Sequence, residues 1–251
     1  MTAPDRAYWI TWYNLPESNR DAYLQWAHET YMPKVLAREG VLWAAHYASL
    51  PKSEYSPLGG AGGRIAHKKD PEGVPPGDRF IMIFGAVDPY ALANPTPAEF
   101  HASLDDAGKK KLAMRSDERR NIMLEEGRIE CADLDKHTPR ITPALAIQLG
   151  SFQPGSWQDE EEQAAWYARW RLPSMKNVPG SLRVRKLVSV AGWAKHACFY
   201  EFASLEEREK NFVHYEKPNP EMVKWSTDVV RNTVHAPGSA NVARRIACLV
   251  K

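Results

Sequence analysis

Residues 26–49, Trp26-Ala-His-Glu-Thr-Tyr-Met-Pro-Lys-Val-Leu-Ala-Arg-Glu-Gly-Val-Leu-Trp-Ala-Ala-His-Tyr-Ala-Ser49, align without a gap on residues 166–189, Trp166-Tyr-Ala-Arg-Trp-Arg-Leu-Pro-Ser-Met-Lys-Asn-Val-Pro-Gly-Ser-Leu-Arg-Val-Arg-Lys-Leu-Val-Ser189. Trp26/Trp166, Pro33/Pro173, Gly40/Gly180, Leu42/Leu182 and Ser49/Ser189 are identical, a shared W-x6-P-x6-G-x-L-x6-S pattern. Trp, Pro and Gly each have restricted structural roles, so their shared spacing reads as an internal repeat, which decides the fold.

The flanking rhythm agrees with a repeat. Residues 7–14 are dense in β-formers and read as a strand. Ser18 or Asn19 can cap a helix from about Arg20 to Arg38, which Gly40 then stops. Strands are expected over 41–49 and 79–87. The second copy repeats the order, with a strand at 144–152, a helix at 159–176, Gly180, and strands at 181–190 and 195–203. An amphipathic helix from about Glu221 to Val234 and a short strand from Arg245 to Val250 follow. The predicted fold class is α+β, with two tandem ferredoxin-like β-α-β-β modules in one chain. The expected units are a first module over 1–96, a helical connector over 97–140 and a second module over 141–251. The first module carries a Gly- and Pro-rich insertion at 50–78, read either as a lid or as an unstructured loop.

Lys plus Arg number 33 and Asp plus Glu 31, a balance that disfavours a dedicated nucleic-acid binder. Cys131, Cys198 and Cys248 are odd in number and widely spaced, so no disulfide framework or zinc site is implied. There is no signal-like apolar core at the start and no run of about 18 apolar residues. The expected setting is cytoplasmic, without a membrane partner and with self-pairing into a homodimer left open. No metal site is expected, because no H-x-x-x-H or H-E-x-x-H spacing occurs. No G-x-S-x-G elbow occurs either, which disfavours a serine hydrolase.

The helix Tyr23-Leu-Gln-Trp26-Ala-His28-Glu-Thr-Tyr31-Met-Pro33, entered from an aromatic strand, resembles the dimeric α+β barrel superfamily and within it the EthD-like branch. That resemblance implies two sheets packed face to face, here forming an α+β barrel within one chain, and an apolar cavity between sheet and helices. It also implies small aromatic, polyketide or lipid-like ligands, handled often without a cofactor. Relatives commonly place a histidine two residues before the proline. Here Tyr31 and Arg171 hold that place, and His28 is the nearest histidine.

His28 and Tyr31 are three apart on one helix, so they are expected to share a face. An imidazole can exchange protons near neutral pH and a phenol can donate to an oxyanion. His46 on the second strand is the third catalytic candidate. Trp12, Trp43, Arg64 and His67 are the candidates for substrate binding, the last two as parts of a lid. Each has a plainer reading, as core aromatic, satisfied core histidine or surface polar residue. The copies differ at His28/Ala168, Tyr31/Arg171 and His46/Lys186, which points any active site to the first copy. The expected function is cofactor-independent acid–base chemistry of the lyase, dehydratase, cyclase or isomerase type on a small aromatic or polyketide-like compound. The alternatives are a haem-binding, chlorite-dismutase-like protein, suggested by 115–127, and a non-catalytic ligand-binding module.

Overall fold

Side chains alternate along strand β1 (Ala7–Asn14), and this alternation sets the layers of the molecule. Tyr8, Ile10 and Trp12 point to one buried cluster with Trp43, Ala45, Tyr47, Ile81, Ile83, Leu187 and Phe199. Trp9 and Tyr13 point to another, with Tyr23, Tyr31, Met32, Met82 and Phe84. The computed structural model describes residues 5–57, 71–137 and 143–251.

After β1, helix α1 (Arg20–Trp26) runs through a π turn at Ala27–Tyr31 into α2 (Met32–Leu36). Asn19 precedes α1 in the left-handed region and makes no side-chain cap. Pro33 lacks an N–H and its ring crowds the carbonyl four residues back, so a regular helix cannot pass through it. The wider turn accommodates it, with the Met32 N–H bonded to the Ala27 carbonyl. Strands β2 (Val41–Ser49) and β3 (Phe80–Ala86) follow. Next come the short helices α3 (Tyr90–Ala93), α4 (Pro97–Ala102) and α5 (Asp106–Leu112). The remainder of the expected helical connector departs from expectation, since Ser116–Glu130 is a 15-residue strand, β4.

Beyond α6 (Leu134–His137), the second half begins with β5 (Ala146–Pro154). Helix α7 (Trp157–Trp166), a π turn at Tyr167–Arg171 and α8 (Leu172–Met175) then repeat the first half, including a Leu172 N–H bond to the Tyr167 carbonyl ahead of Pro173. Gly40 and Gly180 follow these helices, each with φ +75°, where a side chain is strained. Strands β6 (Ser181–Gly192) and β7 (His196–Phe202) lead to α9 (Leu205–Glu207), a third π turn at Arg208–Phe212 and α10 (Pro220–Arg231). The chain ends with β8 (Thr233–His235) and β9 (Asn241–Val250).

Strands β4-β1-β3-β2 are neighbours in one half and β9-β5-β7-β6 in the other. The seams β2–β9 and β4–β6 close these eight antiparallel strands into a barrel, and β8 adds to β5. The Trp12/Trp43 cluster fills the barrel interior. Further cores lie outside it, among them one under the helices of each half. No helix among the described residues is long and apolar enough to cross a membrane.

Candidate functional site

In the first half, β1, β2, α1 and the turn before β4 bring a line of polar groups into the outer core. The Arg115 Nε donates to the Tyr23 hydroxyl at 2.6 Å, and that hydroxyl donates to Tyr13 at 3.4 Å. Tyr13 meets His46 Nε2 at 2.8 Å, and His46 Nδ1 meets His28 Nε2 at 2.8 Å. One set of donors satisfies the whole line, each group passing its hydrogen outward from the Arg115 cation to His28. Burial pushes His46 well below the ordinary imidazole range, and His28 and Arg115 add to this. Burial also lowers His28, which is half-buried. Both rings are therefore neutral at pH 7 and weakened as bases.

Tyr31 makes no hydrogen bond to His28 or His46. Its hydroxyl meets His101 Nε2 at 2.7 Å. The π turn widens the helix between His28 and Tyr31, so residues three apart no longer stack on one face. Trp12 lies in the barrel interior with the Arg119 guanidinium 3.8 Å from its ring centre, and Trp43 lies there too, with its indole N–H donating to Asp5 at 3.0 Å. Arg64 and His67 fall outside the described residues.

A cavity of about 380 Å³ opens instead in the second half, between the outer face of its sheet and the helices α7 and α10. The strand registers explain why. Trp9 pairs with Phe84, and Gln148 holds the matching place against Tyr200. By the same rule Thr11 corresponds to Gly150, and Met82 to Cys198. Large side chains close the first half, and smaller ones leave the second half hollow.

Phe152, Trp166, Tyr167, Tyr200 and Val229 give the cavity an aromatic and apolar wall. Arg171 crosses it, with Nε donating to the Tyr200 hydroxyl at 2.7 Å and Nη1 paired with Glu216 at 2.6 Å. Burial works against the Arg171 charge, but Tyr200, Tyr215 and Glu216 outweigh it and hold the guanidinium ionised. Burial pushes the Tyr200 and Tyr167 phenols well above their ordinary value and raises the Cys198 thiol, so all three stay protonated. His235 also lines the cavity; β8 carries it, its ring lies against Phe152, and its Nε2 meets the Thr233 hydroxyl at 3.0 Å.

The start of the first-half insertion reaches over to this cavity. Lys52, Tyr55 and Pro57 line its mouth. The Tyr55 hydroxyl donates to the Ala240 carbonyl at 3.0 Å, and Arg208 donates through Nη2 to the Ser56 carbonyl at 3.0 Å. Sequence reasoning missed Arg171, Tyr200, Gln163 and His235 as site residues. The small residues at 150 and 198, set against their larger counterparts, were the one signal that could have found them.

No family model and no curated protein matches the sequence. Solved structures do. An anthrone oxidase-like protein superposes with a TM-score of 0.61 at 11% identity, covering 98% of this chain and 93% of its own. A candidate monooxygenase from Fusobacterium nucleatum gives 0.58 at 9% identity, with 100% and 96% covered. Another, from Lactobacillus acidophilus, gives 0.56 at 13% identity, with 98% and 96% covered. At these identities the likeness is one of fold, that of a closed eight-stranded barrel with helices packed outside it.

Proposed function

We propose that the chain is an enzyme performing cofactor-independent acid–base chemistry, of the lyase, cyclase or isomerase type, on a small aromatic compound held in the second-half cavity. The observation that carries this reading is the selective hollowing of one half into an aromatic-walled space of about 380 Å³. Such a cavity with a few convergent polar groups is how small-ligand sites are built. Two of its side chains suit proton transfer. The Tyr200 hydroxyl accepts from Arg171 and keeps its own proton to donate to a developing oxyanion. His235 is an imidazole at the wall and can take a proton from an acidic carbon or hydroxyl. The similarity to an anthrone oxidase-like protein agrees with a polycyclic, hydroxylated substrate. The two halves, with matching strand order, π turns and left-handed glycines, are read here as fused copies of one ferredoxin-like module, closest in kind to the EthD-like branch.

The test is turnover of a panel of hydroxylated polycyclic aromatics, followed by chromatography. His235→Ala and Tyr200→Phe are each expected to lower kcat on the substrate found by about 10²-fold or more. Binding without turnover by the native chain reduces the protein to a binding module. A second reading rests on the 2.8 Å contact between His28 and His46, with His28 at the half-exposed end. It places proton transfer in the first half, and a kcat that falls with His28→Ala but not with His235→Ala selects it.

A further inference from the structure

We infer that the cavity takes a neutral aromatic ligand bearing a carbonyl or hydroxyl oxygen, and that Gln163 selects for that oxygen. This rests on the reading of the second-half cavity as an aromatic site and specifies its ligand.

The charge balance of the wall comes first. Arg171 is neutralised by Glu216 at 2.6 Å, and Arg208 is paired with Glu209. Arg208 spends its remaining donors on Gln148 Oε1, at 3.0 and 2.6 Å, and on the Ser56 carbonyl. Both buried cations are thus matched, and Lys52 stands exposed at the mouth. A carboxylate deep in this wall loses its water and meets only cations already paired with Glu216 and Glu209, which disfavours an anionic ligand.

The amides come second. Gln163 is 3% exposed, lines the cavity from α7, and its side-chain amide makes no hydrogen bond to any described residue. That amide faces the cavity with its donors and acceptor uncommitted, and a ligand oxygen is a partner for it. Gln148 is fixed with its carbonyl oxygen on Arg208, which leaves its NH₂ to donate elsewhere. These amides occur only in the hollow half. The residue aligned with Gln163 is Tyr23, whose hydroxyl is used by Arg115 at 2.6 Å, and the residue in register with Gln148 is Trp9. An amide can donate to a carbonyl or accept from a hydroxyl, so either oxygen on a flat apolar ring system satisfies the site.

Trp166 lines the cavity, so indole fluorescence reports binding. The full chain is titrated with 2-naphthol, 2-naphthoate and naphthalene. The native protein is expected to bind 2-naphthol roughly fivefold to tenfold more tightly than naphthalene, the span of one neutral hydrogen bond, and 2-naphthoate most weakly. Gln163→Leu is expected to bring 2-naphthol down to the naphthalene affinity and to leave naphthalene unchanged. Gln163→Met, which keeps the side-chain length without the amide, gives the same result and guards against a folding defect, checked by circular dichroism. Tightest binding of 2-naphthoate overturns the neutral ligand class. Equal weakening of naphthol and naphthalene in both variants overturns the role of Gln163. Failure of all three compounds to bind overturns the cavity as an aromatic site, and this inference with it.

Discussion

His46 is fully buried and hydrogen-bonded through both ring nitrogens, to Tyr13 and to His28. Burial holds it neutral, well below the ordinary value of 6.5. His101 behaves alike, lowered to about 3 by burial and by Arg115 and Arg120. The consequence for stability has a definite sign. Above pH 6.5 these rings are neutral both folded and unfolded, and the fold keeps its full stability. As pH falls from 6.5 towards 3, the unfolded chain takes up protons that the folded one refuses, and stability is lost at about 1.4 kcal/mol per pH unit for each such histidine. Urea unfolding of His46→Gln between pH 6 and pH 4 is expected to show a slope shallower by about that amount; parallel slopes for variant and native chain contradict the neutral buried ring.

Strand β4 shows how an element can hide in its own sequence. Ser-Asp-Glu-Arg-Arg-Asn-Ile-Met-Leu-Glu-Glu-Gly-Arg-Ile-Glu over 116–130 reads as polar and helix-prone. In the fold every second residue from Arg119 to Glu125 is buried, a strict period of two. The alternation is invisible in hydropathy because the inward residues Arg119, Asn121 and Glu125 are themselves polar, with partners on other strands and in the β6–β7 connection. Arg119 reaches Ser151 and the Trp193 carbonyl, Asn121 the Ala194 carbonyl, and Glu125 the Tyr8 hydroxyl. Strand β3 carries a different constraint. Gly85 faces Trp43 across the β2 pairing, and a Cβ there falls 2.1 Å from the indole ring. Gly85→Ala is expected to destabilise the chain by about 1–3 kcal/mol through overpacking. An unchanged denaturation midpoint shows that the barrel interior has slack beside Trp43.

The whole molecule is held at one end of its barrel by charges from both halves. Asp5 is fully buried and paired with Arg185 at 3.2 Å and Arg128 at 2.8 Å. Burial raises the Asp5 carboxyl, but Arg185 and Arg128 outweigh it and keep it below the ordinary range. Arg185 is also ion-paired with Glu201, which Arg183 reaches at 3.3 Å. This network joins the N-terminal segment, β4, β6 and β7. Arg185→Met leaves Asp5 and Glu201 short of a cation and is expected to cost about 3–5 kcal/mol in urea unfolding. A loss below about 1 kcal/mol means the remaining arginines take over the pairing.

The sequence by itself determined the repeating order of strand, helix, strand and strand, because Trp26/Trp166, Pro33/Pro173 and Gly40/Gly180 carry local rules of backbone geometry. It also determined the two faces of β1, since alternation along a strand is set within the strand. The tertiary structure alone decided that β4 is a strand, because its buried polar residues make sense only beside Tyr8, Ser151 and the β6–β7 connection. It alone showed His28 meeting His46 while Tyr31 turns to His101. It also located the cavity in the half where Gln148, Gly150 and Cys198 replace Trp9, Thr11 and Met82. A void is a difference between volumes brought together by pairing, and no stretch of one chain segment records it.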